Sequence, residues 1–399
     1  MVERSRWTYP NLVFRGDKAL LFSESGNGFL MYGRMHRTFV AMGDPVGSPN
    51  ETLELAGRFR ELCDRHRARP VFFEVRDENR HVYLELGLSL TELGEEGRVE
   101  LARFELASAA RATLRQARSR VERKGCVFEI VPRERVPALA EALTRVSDAW
   151  LAEKATHEKG FSNASFDMRY LGEFPLAVVH DASGVIAFAN LWQSAEKEEL
   201  SVDLMRHMPN APNGTMDFLF TEILLWGREQ GFRWFNLGMT PLSGLAARSG
   251  SPLWRRFGTL LYQHGEHFYN FRGLRHYKEK FGPVWSPRYL APCARDSLSP
   301  GMDRACHVLG AGPGQRRMDR RPASLVELPQ HGVAELPPRP EHCARRFPAA
   351  YGVAFALGVS LGARRSRGSC RIHGLGRGVG DRRPRRAARP ACAARRHCD

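Results

Sequence analysis

The sequence predicts an α/β protein: two lobes of similar element order, joined by a basic helix and followed by a segment that belongs to no core. Three observations carry this expectation. Short β-rich runs alternate with helical patterns twice along residues 1–292. The most basic stretch of that region, Arg111 to Lys124, falls between the two repeats. All seven Trp lie before residue 293, whereas six of the eight Cys lie from Cys293 onward. The boundaries that follow are a first lobe at 1–106, a linker helix at 107–125, a second and catalytic lobe at 126–292, and a tail at 293–399.

In the first lobe, Leu12 to Phe14, Ala19 to Phe22, Gly28 to Tyr32 and Thr38 to Met42 read as strands of an antiparallel meander, because turn residues separate them. Leu53, Phe59 and Leu62 then fall at helical spacing, ending near Arg67. A buried strand follows at Pro70 to Val75, and a helix from Glu78 to Leu86 is closed by Gly87. In the linker, Leu114, Ala117 and Val121 form a narrow apolar stripe and Arg111, Arg115 and Arg118 a cationic one. That pattern suits either a solvated interdomain face or a polyphosphate-binding face for tRNA. The second lobe opens with a helix from Val136 to about Glu153. A hairpin of Phe174 to Val179 and Val185 to Trp192 turns at Asp181 to Gly184. A strand at Glu199 to Met205, a loop, a helix at Thr215 to Gln230 and a strand at Trp234 to Gly238 complete it.

The 399 residues carry 60 Lys and Arg against 44 Asp and Glu, a net charge of +16. Most of that excess sits in the tail, which has 21 Arg, no Lys and 8 acids. The body is nearly neutral, so the charge of the whole chain does not mark a nucleic-acid binder. Ordinary apolar and charged content excludes collagen-like, wholly disordered and multi-span membrane classes. Cys63 and Cys126 alone in the body fit a reducing compartment with no disulfide framework and no CxxC zinc pattern. Met1 to Pro10 has no apolar signal region, and Ala349 to Ala363 is shorter than the roughly 20 apolar residues of a spanning helix. The expectation is a soluble or peripheral protein. Arg without Lys, with Cys, Pro and Gly enriched, reads as out-of-frame translation of a GC-rich gene rather than as an arm for RNA or anionic lipid. On either reading the tail is expected to be disordered.

The second lobe's order of hairpin, strand, loop, helix and strand is that of GCN5-related acyltransferases. There the strand before the loop splays from its neighbour and the loop amides hold acyl-CoA pyrophosphate. Here the loop, Arg206 to Gly214, lacks the R/Q-x-x-G-x-G/A pattern and contains two prolines without amide hydrogens, which disfavours a CoA donor. Several strings then appear in order: Val40-Ala-Met-Gly-Asp-Pro-Val-Gly47, Ala187-Phe-Ala-Asn-Leu-Trp192, Glu199-Leu-Ser-Val-Asp-Leu-Met-Arg206, Asn213-Gly-Thr-Met-Asp-Phe218, Phe235-Asn-Leu-Gly-Met-Thr-Pro-Leu-Ser-Gly244, and Tyr269 through Lys278 to Leu290. Together they resemble the catalytic region of the phosphatidylglycerol lysyltransferase family over about residues 12–291. The resemblance implies tandem acyltransferase-like lobes. It also implies transfer of a lysyl or alanyl group from aminoacyl-tRNA to the glycerol hydroxyl of phosphatidylglycerol, at the inner face of the cell membrane and without a cofactor. A separate membrane-spanning partner fits, since the family's membrane region does not precede this sequence. The alternatives are a FemABX-type transferase acting on a peptidoglycan precursor and an inactive fragment of a lipid aminoacyltransferase gene.

Such a transfer needs the hydroxyl oriented, the carbonyl oxyanion stabilised and phosphates held. Asp203 is the expected catalytic carboxylate, taking the hydroxyl proton or holding the donor's ammonium. Arg206, at the start of the loop, is the expected phosphate clamp. Strand alternation places Ser201, Asp203 and Met205 on one face and Val202 and Leu204 on the other. Asn190, Ser201, Gly238 and Met239 are substrate-binding candidates from the same strings. Asp217 is a further one, although its place in a first helical turn also suits capping. Lys280 and Arg288, with Tyr277 and Trp285 between them, are candidates for an anionic head-group site, and Glu266 and Tyr269 for aminoacyl contacts. His264 and His267 have no common zinc spacing, so no metal is expected.

Overall fold

The structure, a computed structural model, describes residues 1–35, 37–154, 161, 165–241, 243 and 273–293. Among these, eleven strands form one sheet: β1 Ala19–Phe22, β2 Phe29–Met35, β3 Thr38–Met42, β4 Arg69–Arg76, β5 Thr91–Glu100, β6 Val127–Val131, β7 Leu176–Asp181, β8 Gly184–Gln193, β9 Glu199–His207, β10 Trp234–Pro241 and β11 Val284–Pro292. Their order is β1-β2-β3-β4-β11-β5-β10-β9-β8-β7-β6. The helices are α1 Pro49–Arg65, α2 Arg80–Glu85, α3 Ala112–Glu122, α4 Ala140–Lys154, α5 Met168–Leu171 and α6 Thr215–Glu229, with a further helical stretch at 273–279.

Two pairs, β3–β4 and β9–β10, are parallel, and each is bridged by a helix, α1 or α6, because parallel neighbours need a crossover. The remaining pairs are antiparallel. At the centre the halves exchange strands: β5 pairs with β10, and β11 inserts between the consecutive strands β4 and β5. The acyltransferase order of hairpin, strand, helix and strand is present in β7 to β10.

Local chemistry explains the element ends. Ser48 accepts from the Glu51 amide while Glu51 accepts from the Ser48 amide, a capping box, with Pro49 opening α1. Leu12 to Phe14, expected as a strand, lies instead in a 3-10 helix, Tyr9–Arg15. Pro10 favours its first turn, and Gly16 closes it at φ 64°. The helix expected from Glu78 begins as a 3-10 turn, and the one expected from Val136 begins as a 3-10 stretch containing Pro137 before α4.

One core cluster joins both halves: Leu12, Met31 and Phe73 pack with Tyr170, Trp192, Leu204 and Leu290. A second gathers Leu114, Phe220, Phe235 and Tyr277 beneath α3 and α6, and a third packs α1 and α2 through Phe59, Phe72 and Tyr83. No described helix is long and apolar enough to cross a membrane. The tail from residue 294 lies outside the described residues.

Candidate active site

β9 and β10 run side by side for three pairs, ending at Asn236 opposite Ser201. Beyond that point both continue without pairing to each other, so a gap opens between them. Each carries a bulge there. On β10 the register with β5 shifts between Asn236 and Met239. Gly238 turns through φ 76° and donates its amide to Asn236 Oδ1 at 2.8 Å, a conformation that costs glycine little. On β9 the register with β8 shifts opposite Asn190, whose buried Oδ1 accepts from the Asp203 amide at 3.3 Å and the Leu204 amide at 2.7 Å. That bulge breaks the expected alternation. Leu204 packs in the cluster of Tyr170 and Trp192, and Met205 packs on the opposite side with α6, so Met205 does not share the face of Ser201 and Asp203.

Asp203 Oδ2 accepts a 2.6 Å hydrogen bond from the Tyr170 hydroxyl, which itself accepts from Trp192 Nε1 at 3.1 Å. Burial, reinforced by the Asp203 charge, pushes the Tyr170 phenol well above its ordinary range, so it stays a donor. Two cations from the N-terminal segment lie within electrostatic reach: Lys18 acts with Asp203, and Arg15 with Tyr170. Lys18 bonds Asp17 at 2.8 Å with its side chain almost wholly buried, and burial lowers its pKa against the pull of Asp17. Ser201 Oγ donates to Thr8 Oγ1 at 2.8 Å. Thr8 in turn donates to the fully buried Glu199, which pairs with Arg98 at 3.0 Å.

Arg206 lies within β9, not in the loop. It is buried under α4, donating to Ser147 Oγ at 2.6 Å and stacking on Trp150 and Phe166. A buried charge network occupies the sheet centre. Arg288 and Arg76 both reach Glu96 and, against the burial that would raise it, hold its carboxyl at about 2. Lys278, fully buried, donates to the Gly238 carbonyl at 2.8 Å and the Met239 carbonyl at 3.1 Å, clamping the β10 bulge. Burial lowers its pKa to about 7 despite Glu96 and Glu74.

Lys280 and Arg288 answer to different acids. Lys280 bonds both oxygens of Asp217 at 3.0 Å and lies over the Tyr277 ring, whereas Arg288 pairs with Glu96 on β5. Tyr277 is buried, and burial followed by the Asp217 charge pushes its phenol up. On α3, Arg111 donates to the Lys280 carbonyl at 2.6 Å, Arg115 to the carbonyls of Leu106 and Ser108, and Arg118 to Glu222 at 2.5 Å. Glu266, Tyr269, His264 and His267 lie outside the described residues. Among the described residues no three His, Cys, Asp or Glu side chains converge as a metal site.

Sequence reasoning passed over Tyr170, Lys18 and Glu74. Tyr170 was findable: it follows Asp167, whose carboxylate accepts from the Arg169 amide and so starts a short helix. Lys18 and Glu74 carry no such local mark.

The family "Phosphatidylglycerol lysyltransferase, C-terminal" matches residues 3–292. Phosphatidylglycerol lysyltransferase of Bacillus subtilis is 36% identical over 301 residues, which is 75% of this chain and 35% of that protein. A Staphylococcus epidermidis protein of the same name is 32% identical over 300 residues, 75% of this chain and 36% of that protein. The chain thus spans about a third of the length of the curated relatives it matches. Among solved structures, the C-terminal domain of a putative lysylphosphatidylglycerol synthetase from Agrobacterium fabrum superposes with TM-score 0.69 at 42% identity, covering 76% of this chain and 93% of that one. L-PGS from Bacillus licheniformis gives 0.66 at 32% identity with the same coverage. With its gap between β9 and β10, the Asp203–Tyr170 pair beside it and a match across nearly all of residues 1–292, the chain belongs to the phosphatidylglycerol lysyltransferase C-terminal family.

Proposed function

We propose that this chain transfers an aminoacyl group from a charged tRNA to a glycerol hydroxyl of phosphatidylglycerol at the inner face of a membrane. The observation that carries the reading is the Asp203 carboxylate, fixed by Tyr170 and the Asn190-held bulge where β9 and β10 part. The named activity of the relatives supplies the acceptor and lysine as the first donor to test. In the reaction the lipid hydroxyl oxygen bonds to the ester carbonyl carbon, the bond to the ribose oxygen breaks, and the hydroxyl proton ends on that ribose oxygen. A carboxylate held rigidly in this way suits the donor's ammonium or the attacking hydroxyl. The two prolines of the 208–214 loop, Pro209 and Pro212, speak against CoA as donor.

The experiment supplies phosphatidylglycerol vesicles with lysyl- or alanyl-tRNA, with and without RNase, beside acetyl-CoA and a peptidoglycan-precursor amine. RNase-sensitive aminoacyl lipid is the expected product, and Asp203→Asn should lower its rate by roughly 100- to 10,000-fold if Asp203 handles the proton. Transfer from acetyl-CoA, or to the precursor amine in preference to lipid, would overturn the reading. A membrane-spanning partner is part of the same proposal, and added membranes should then raise the rate.

A further inference from the structure

Two turns of the first lobe, one joining β2 to β3 and the other α1 to β4, meet at a single tip. The Arg69 amide donates to the Arg37 carbonyl at 2.7 Å, and Arg37 Nε donates to the Arg67 carbonyl at 3.3 Å. Arg34 lies over the Phe39 ring at 4.7 Å, and the His66 ring lies 5.6 Å from the same ring. Burial, then the charges of Arg34 and Arg65, lower the pKa of His66, which sets Arg65 in the same cluster. Segments 34–38 and 62–69 together hold five arginines and one acid, Asp64. Arg34, Arg37, Arg65 and Arg67 are all exposed, and among the described residues none of these four forms an ion pair. Arg67 also closes α1 at φ 50°, a left-handed position where glycine is usual. In a body close to neutral, so dense a cluster of one sign repels itself until an anion meets it.

Strand directions place this tip relative to the site. β4 is antiparallel to β11, β11 to β5 and β5 to β10, so β4 begins at the end of the sheet where β10 and β9 finish. β3 runs parallel to β4 and begins there too. The gap between β9 and β10 opens at that same end. β3 and β10 are four strand spacings apart, about 19 Å at ~4.8 Å each, too far for one small ligand but within the span of an extended anionic surface. On the other flank of the gap, α6 starts at this end, and Arg120 of α3 reaches the Asn213 carbonyl just before it at 3.4 Å. Cations therefore flank the open end of the gap on both sides.

We propose that the tip formed by Arg34, Arg37, Arg65 and Arg67 docks on the anionic bilayer that carries the acceptor lipid, and so holds the open end of the β9–β10 gap against the membrane. The inference rests on the lipid-transferase reading above. Charge complementarity selects the partner: each phosphatidylglycerol head group carries a phosphate and no cation, and guanidinium forks suit phosphate oxygens. The other polyanion of the reaction, aminoacyl-tRNA, has Arg120, Arg123 and Lys124 at the end of α3, beside the helix that bridges β9 and β10. None of the exposed large apolar side chains among the described residues belongs to either turn, so the attachment is electrostatic rather than by insertion, and salt weakens it.

The test is flotation of the full chain with vesicles of phosphatidylglycerol and phosphatidylcholine, or of phosphatidylcholine alone, across a salt series, beside filter binding of tRNA. The tail is the same in every variant, so differences report the tip. Each cation at an anionic surface strengthens attachment by about fivefold, so Arg65→Gln with Arg67→Gln should weaken binding to the anionic vesicles by about 25-fold. Arg65→Lys with Arg67→Lys should stay within about twofold of wild type, as should tRNA binding by the Gln pair. Should the Gln pair fail to fold, Arg34→Gln decides, with an expected loss of about fivefold. Vesicle binding by the folded Gln variant within about twofold of wild type, an equal loss in the Lys pair, or equal wild-type binding to phosphatidylcholine alone overturns the proposal. Weakened tRNA binding with vesicle binding intact overturns it too, and gives the tip to tRNA. Flotation needs no turnover, so a chain that docks through the tip yet transfers nothing to lipid keeps the docking surface and sinks the lipid-transferase reading instead.

Discussion

Tyr170 on α5 and Asp203 on β9 are joined by a 2.6 Å hydrogen bond, with Trp192 of β8 donating to the same phenol. Tyr170→Phe leaves a buried indole N–H without its acceptor, at a cost of about 1–3 kcal/mol. It should also loosen the Asp203 carboxylate and slow transfer, though less than Asp203→Asn does. Unfolding curves and single-turnover rates on the two variants check the order. Equal rates for wild type and Tyr170→Phe would separate Tyr170 from the reaction.

The α3 arginines divide into two sets. Arg111, Arg115 and Arg118 serve carbonyls and Glu222 within the chain, whereas Arg123 and Lys124 are exposed, as is Arg120, which reaches the Asn213 carbonyl at 3.4 Å. Replacing the first set with Gln should lower stability by about 1 kcal/mol for each hydrogen bond removed. Replacing the second should flatten the salt dependence of tRNA binding, by about 0.9 in log–log slope for each duplex phosphate no longer neutralised. Filter binding across a salt series measures this, and a slope set by the first group would reverse the assignment.

The capping box makes stability depend on acid. Hydrogen bonds from Ser25 and from the Ser48 amide hold Glu51 down at about 2, below its ordinary 4.5. A depressed carboxylate stabilises the fold above its unfolded pKa, and the benefit is lost as pH falls through the folded value. Glu51→Gln should therefore cost about 0.5–1 kcal/mol near neutrality, a small value because solvent screens the site. Near pH 2 the difference from wild type should shrink. Denaturant titrations at both ends of that window test it.

Gly238→Ala should destabilise by about 1–2 kcal/mol through backbone strain alone. An added Cβ would have 4.0 Å to its nearest neighbour, Lys278 Nζ, so space is not the obstacle. Gly238→Asn, which tolerates left-handed backbone better, should cost less. A loss in Gly238→Asn equal to that in Gly238→Ala would point to the side chain instead. Calorimetric melts distinguish the two.

The hairpin β7–β8, α6 and the first-lobe meander were legible because apolar alternation or helical spacing marks them. β5 was not. Thr91–Glu100 is polar and holds two glycines, and it reads as a strand only once Glu96 and Arg98 have found Arg288, Arg76 and Glu199 on other strands. The same long-range pairing hid the site's true neighbours. Asp203 could be read from its string, but Tyr170 lies 33 residues away and Lys18 on the far side of the chain. Arg206 was misjudged because β9 runs on to His207, past the end its apolar pattern suggests.

The insertion of β11 between β4 and β5 also has a consequence for synthesis. While the ribosome is still making residues 101–283, β4 and β5 have emerged but their shared neighbour does not yet exist, and two strand edges in the middle of the future sheet stay open. Such edges are sites for wrong pairing. The sheet can close only after residue 292 leaves the ribosome, so these two edges stay open to wrong pairing until its last strand has been made.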